Sequence, residues 1–113
     1  MAVYVINLVI NAGSDFSETF FLENVDLTAC TLLAQLRKWD GSSNYTQFES
    51  QIINPSQGSI KLALSHQQTK LLKQGRYVYD AIITTPFNFT NKIIEGMVLV
   101  RWGFSLSKFG EYK

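Results

Sequence analysis

Leu72-Lys73-Gln74-Gly75-Arg76-Tyr77-Val78-Tyr79-Asp80-Ala81-Ile82-Ile83-Thr84 is the stretch that decides the fold. From Arg76 onward the side chains alternate. Tyr77, Tyr79, Ala81 and Ile83 fall on one side and Val78, Asp80 and Ile82 on the other, which is the period of a β-strand. Leu72, Gly75 and Tyr77 mark how the chain arrives there. A tyrosine ring at a strand start packs in a core while its hydroxyl bonds backbone upstream, and that bond fixes a crossover between sheets. Just upstream, Ser65-His66-Gln67-Gln68 has the form of a capping box, with Ser65 as N-cap and Gln68 at N3. The expectation is a helical turn or two that carries the chain from one sheet to the other, closed by Gly75 in a left-handed conformation.

Working outward, six more strands are expected. Residues 59–64 set Ile60, Leu62 and Leu64 against Ser59, Lys61 and Ala63. Residues 45–53, 30–37 and 16–22 alternate in the same way, and Cys30, Leu32, Ala34 and Leu36 give the clearest half-buried strand. Residues 3–11 are apolar on both sides and are expected to be covered on both. Residues 92–102 form a long last strand, with Gly96 the expected bulge. Asn11-Ala12-Gly13-Ser14, Asp40-Gly41-Ser42-Ser43-Asn44 and Asn54-Pro55-Ser56-Gln57-Gly58 are turns. The Leu72-Gly75-Tyr77 spacing resembles the tyrosine corner of immunoglobulin-like sandwiches. The fold expected is therefore an all-β, immunoglobulin-like Greek-key sandwich of about seven strands with one short helical crossover. Residues 1–102 form this domain and residues 103–113 a C-terminal aromatic arm.

Composition narrows the function. The chain has 113 residues, 46% of them hydrophobic and 17% charged, which suits one ordered domain. The 10 Lys and Arg and 9 Asp and Glu leave a net charge of +1, scattered along the chain, so no footprint for nucleic acid or an anionic membrane is expected. The single cysteine, Cys30, allows no internal disulfide. Residues 3–10 are apolar but too short, and too poor in flanking signals, for a secretory leader. Glycine spacing matches no phosphate cradle. His66 is the one histidine, and with Cys30 it makes the one conceivable nucleophile and base. Asp15, Glu18, Glu23, Asp26 and Asp80 lack the spacing of a calcium loop. Asp80 is expected to pair with Lys92 or Arg101 across strands. No catalytic site, cofactor or metal is expected.

The aromatics are more informative. Trp102, Phe104, Leu106, Phe109 and Tyr112 lie at and beyond the last strand, and either fold back or dock on a neighbour. Phe87 and Phe89 in the preceding loop and Tyr4 at the first strand complete the expected partner-binding set. Strand addition at a sheet edge is a further mode. A carbohydrate- or host-surface-binding module using Trp39, Tyr45, Phe87 and Phe89 is the alternative.

Several segments resemble a type of small virion protein of tailed bacteriophages, including cyanophages. They are Asn7-Leu8-Val9-Ile10, Gly13-Ser14-Asp15-Phe16-Ser17-Glu18-Thr19-Phe20, Asp26-Leu27-Thr28, Ala34-Gln35-Leu36-Arg37-Lys38, Gly58-Ser59-Ile60-Lys61-Leu62, Gly75-Arg76-Tyr77-Val78-Tyr79-Asp80 and Glu95-Gly96-Met97-Val98-Leu99-Val100. Proteins of this type are similar to the immunoglobulin-like N-terminal domains of phage baseplate proteins. The resemblance implies a non-enzymatic component of head, neck, tail or baseplate, made in the host cytoplasm and residing in the virion. It also implies contacts with other virion proteins, in multiple symmetric copies or as a homo-oligomer.

Overall fold

The computed structural model describes residues 3–23, 25–39 and 41–102. Its strands are β1 (Tyr4–Val5), β2 (Leu8–Ala12), β3 (Phe16–Phe21), β4 (Thr31–Arg37), β5 (Tyr45–Gln47), β6 (Glu49–Asn54), β7 (Ser59–Leu64), β8 (Gly75–Thr84) and β9 (Thr90–Trp102), with an α-helical turn, α1 (His66–Thr69), and a 3-10 turn at Pro55–Gln57. The large sheet runs β9-β8-β4-β5, with β1 and β2 both lying parallel to β9 on its free side. The small sheet runs β3-β7-β6. With β9-β8-β4 at the centre of one layer and β3-β7-β6 as the other, the order is that of an immunoglobulin-like sandwich. The all-β fold is the one that the alternation predicts.

Where strands were expected whole, two of them divide. Residues 3–11 become β1 and β2 because the chain bends at Ile6 and Asn7 as it passes over Gly96. The Ile6 N–H donates to the Glu95 carbonyl (2.9 Å), and the Met97 N–H donates to Asn7 Oδ1 (3.0 Å). The Tyr79 hydroxyl donates to the Ile6 carbonyl (2.6 Å). A Cβ on Gly96 would lie 2.8 Å from the Ile6 carbonyl carbon and closer still to its oxygen. Gly96 is therefore the site of a close backbone approach and not the expected bulge. The bulge falls three residues earlier. Ala81 pairs Ile94 and Ile82 pairs Lys92, so Ile93 is the extra residue, and both isoleucines are buried.

Residues 45–53 divide at Phe48. Before it, β5 pairs with β4; after it, β6 pairs with β7 in the other sheet. Phe48 holds the corner. Its N–H donates to the Ala34 carbonyl (2.9 Å), and its ring stands 6.1 Å from that of Phe16 and 6.0 Å from that of Tyr79. A strand that changes sheets keeps its alternation, so the split leaves no mark in the hydrophobic pattern.

The core lies between the layers. Leu8, Ile10 and Ala12 face Ile60, Leu62 and Leu64 of the small sheet's buried set, with Leu36, Ala81, Ile83, Val98 and Val100 beside them. Each fully buried Leu or Ile contributes about 1.5–3 kcal/mol. Only one side of residues 3–11 is covered, however: Val3, Val5 and Val9 are exposed.

The crossover from β7 to β8 matches its expected form in part. Ser65 Oγ accepts from the Gln68 N–H (3.2 Å) and Gln68 Oε1 accepts from the Ser65 N–H (2.9 Å), completing the capping box. The helix ends at Thr69. Gly75 lies beyond it with φ +145° and opens β8, so it does not close the helix. Leu72 is buried, and the Tyr77 hydroxyl donates to the Lys73 carbonyl (2.7 Å), the bond expected of a tyrosine corner. A second tie was not foreseen. Thr69 is fully buried; its hydroxyl donates to the Ser14 carbonyl (2.8 Å) and accepts from the Gly13 N–H (2.9 Å). One side chain thereby satisfies both polar groups of the β2–β3 turn.

Thr69→Val keeps the shape but strands those two groups, and should cost about 2–4 kcal/mol in urea unfolding. Gly96→Ala should cost at least as much, about 4 kcal/mol, because the obstacle is backbone. A wild-type unfolding midpoint for Gly96→Ala would contradict the close approach.

Candidate functional site

The two outer faces of the sandwich differ in chemistry. On the small sheet, Ser17, Thr19, Lys61, Glu49 and Gln51 point outward, with Phe21 and Ile53 apolar at one end. On the large sheet, register sets the outward residues in rows. Val9, Leu99 and Arg76 form one row, and Met97, Val78, Arg37 and Tyr45 the next. Val5, Glu95, Asp80, Gln35 and Gln47 follow, then Lys92, Ile82 and Leu33. Val5 is 69% exposed and Met97 47%, and Val9, Leu33 and Leu99 are also exposed. Apolar side chains contiguous over several strands are not what a solvated face carries.

A hollow of about 380 Å³ sits in the middle of this face, between Val5, Asn7, Arg37, Val78, Asp80 and Met97. It lies beside the bend at Ile6 and Asn7, where the chain turns over the core side of Gly96. Its charges are mixed. Lys92 Nζ lies 3.2 Å from Glu95 Oε1 and 3.8 Å from Asp80 Oδ2, so Asp80 pairs with Lys92, one of its two expected partners. The other, Arg101, donates instead to Asn11 Oδ1 (3.1 Å). Arg37 donates to Gln35 Oε1 and to the Ser42 carbonyl, and its guanidinium sits 5.3 Å from the Tyr45 ring centre. Exposed ion pairs of this kind contribute about 0–1 kcal/mol each, so they orient side chains more than they stabilise the fold.

The expected partner-binding residues do not form one surface. Phe87 and Phe89 project from the β8–β9 hairpin, 81% and 67% exposed. The turn is closed by the Thr85 N–H on the Phe89 carbonyl (2.8 Å), with Asn88 at φ +63°. Trp102 ends β9 at the opposite end, beside Ala12, half-buried against the core. It is part of the sandwich, within the residues 1–102 assigned to that domain. The half-buried Tyr4 ring packs on the core and its hydroxyl donates to the Glu23 carbonyl (3.1 Å). Phe104, Phe109 and Tyr112 lie outside the described residues. The aromatics of the glycan reading also separate. Arg37 pairs with Val78 near the start of β8, which puts Trp39 and Tyr45 far from Phe87 and Phe89. The outer face is legible in the sequence, since Leu33, Val78, Ile82, Met97 and Leu99 occupy the positions of their strands that alternation assigns to solvent.

His66 and Cys30 are likewise apart. Asp15 Oδ1 accepts the His66 backbone N–H (2.6 Å) and lies 3.0 Å from His66 Nδ1. Both stand at the α1 end of the molecule. Cys30 precedes β4 at the hairpin end, half-buried, its thiol directed at the Thr28 carbonyl (3.7 Å). The described residues hold no group of three or more His, Cys, Asp or Glu side chains able to bind a metal ion. The hydrogen bond from His66 lowers the pKa of Asp15, and hydrogen bonds from Thr28 lower that of Asp26. Burial raises the pKa of Tyr77, and burial followed by the charge of Glu18 raises that of Tyr79. Tyr79 thus stays protonated and keeps its bond to Ile6.

No protein-family model and no curated protein sequence matches the chain. Solved structures do. An internalin-like protein of Listeria monocytogenes aligns with 89% of this chain and 28% of its own, at 12% identity and a TM-score of 0.45. A family 123 glycoside hydrolase from Clostridium perfringens aligns with 88% of this chain and 23% of its own, at 12% identity and a TM-score of 0.51. The chain spans about a quarter of the length of the solved chains it matches. At this identity the glycoside hydrolase shares the fold alone.

Asp15 gives a signed pH test. Its folded-state pKa is lowered, so its stabilisation is present above the ordinary carboxylate value of about 3.9 and is lost as pH falls through the folded value. Asp15→Asn should melt below wild type at pH 7, and the two curves should converge as pH falls below the folded value. A gap that persists there would mean that the carboxylate charge is not what holds His66.

Proposed function

We propose that this chain is a non-enzymatic structural module of a bacteriophage particle, working by protein–protein contact through the outer face of its large sheet. The observation that carries the reading is the exposed cluster of Val5, Val9, Met97 and Leu99 on β1, β2 and β9, with Leu33 exposed farther across the same face on β4, set against a mostly polar face on the small sheet. The virion setting is supported by the sequence resemblance to small phage proteins. Covering five half-exposed side chains supplies on the order of 5 kcal/mol. Association in solution costs about as much or more. Such a contact is weak for one copy and becomes firm when many copies sit in an array.

Strand addition has little to favour it. The β5 edge is three residues long, the β1–β2 edge is bent, and the β6 edge is bulged. The β3 edge carries Glu18 on its core-facing side, a common guard against edge pairing.

A second reading, host-surface glycan binding, keeps only Trp39 and Tyr45 of its expected residues together. They are 62% and 53% exposed beside a shallow hollow of about 230 Å³. A glycan array separates the two: binding that Trp39→Ala abolishes would favour the second.

For the leading reading, Met97→Asp should lower the amount of the chain found in purified particles by tenfold or more, with unchanged circular dichroism. Truncation after Gly103 should also reduce it. Mass spectrometry that finds the wild-type chain in no particle fraction would overturn the virion role.

A further inference from the structure

We infer that the outer face of the large sheet is covered by the same face of a second copy of this chain, related by a two-fold axis. The inference rests on the reading of that face as a protein contact and names the partner.

Charge is the first argument. Around the hollow the face presents Arg37 and Lys92 with Asp80 and Glu95, cations and anions interleaved, and Arg76 stands in the row next to Arg37. A strongly acidic or strongly basic partner would meet like charges there. A second copy does not, because in a two-fold contact each group of one sign can be answered by the opposite group of the same set.

Area is the second argument. Five strands about 4.8 Å apart and about seven residues rising 3.3 Å each give a footprint on the order of 500 Å² per copy. Two such faces together reach the roughly 1,000 Å² that a specific interface needs. Shape is the third. The central hollow of about 380 Å³ is rimmed by exposed Met97, an unbranched side chain that adapts to irregular gaps, so each copy carries both the projection and the recess. The small sheet has no such combination on its outer face.

Multi-angle light scattering from about 1 to 100 µM tests this. The wild type should move from the 12.8 kDa monomer towards twice that mass. Met97→Asp and, independently, Leu33→Glu should weaken the dimer at least tenfold with circular dichroism unchanged, while Gln51→Glu on the small sheet should not. A wild type that is monomeric throughout, or a dimer that neither face variant weakens, overturns the inference. The particle assay distinguishes this failure from that of the proposed function. If the wild type is monomeric yet Met97→Asp still blocks incorporation, the face binds another virion protein; if incorporation is also normal, both readings fail.

Discussion

The Ile6 carbonyl lying across Gly96, held there by the Tyr79 hydroxyl, is the contact on which the rest of the molecule depends. It allows the first strand pair to follow the last strand so closely that both halves of residues 3–11 join one sheet. Three bonds serve it: Ile6 N–H to Glu95, Tyr79 hydroxyl to Ile6, and Met97 N–H to Asn7. The same bend borders the recess on the outside of the sheet.

The second organising feature is the end at which α1 lies. Thr69, Tyr77 and Ser65 are three polar groups that bond backbone rather than solvent, and together they fix the β2–β3 turn, the start of β8 and the helix N-terminus. Satisfied polar groups in a small core specify one arrangement among several of equal hydrophobic content. With this end pinned, the opposite end is left to carry the long β8–β9 hairpin with Phe87 and Phe89 at its tip.

Much of this was legible in the residues, and the misses share a cause. Alternation located β3, β4, β7 and β8, and the capping box and Tyr77 located the crossover, because each depends on neighbours close in sequence. The divisions at Ile6–Asn7 and Phe48 were invisible. Both are set by partners far along the chain, Gly96 and Tyr79 in one case, Ala34 and Tyr79 in the other. Gly96 was seen as special for the wrong reason, since a glycine in a strand signals either a bulge or a close approach and only the partner decides. For the candidate surface, aromatics are the conspicuous residues in the sequence. Tyr4 and Trp102 both pack in part against the sandwich core. The aliphatic cluster on the outer face is less conspicuous, although its residues sit at positions that alternation gives to solvent.

The parallel alignment of β2 with β9 has a mechanical consequence. Tension applied between residue 3 and residue 102 pulls these two strands past each other along their length, because each enters at one end of the sheet and leaves at the other. Their backbone bonds are then loaded side by side and must yield together, whereas a hairpin pulled from its open end gives way one bond after another. A domain strung in this way resists force best in the direction in which its chain runs, and its lifetime under load is set by its unfolding rate and not by its equilibrium stability.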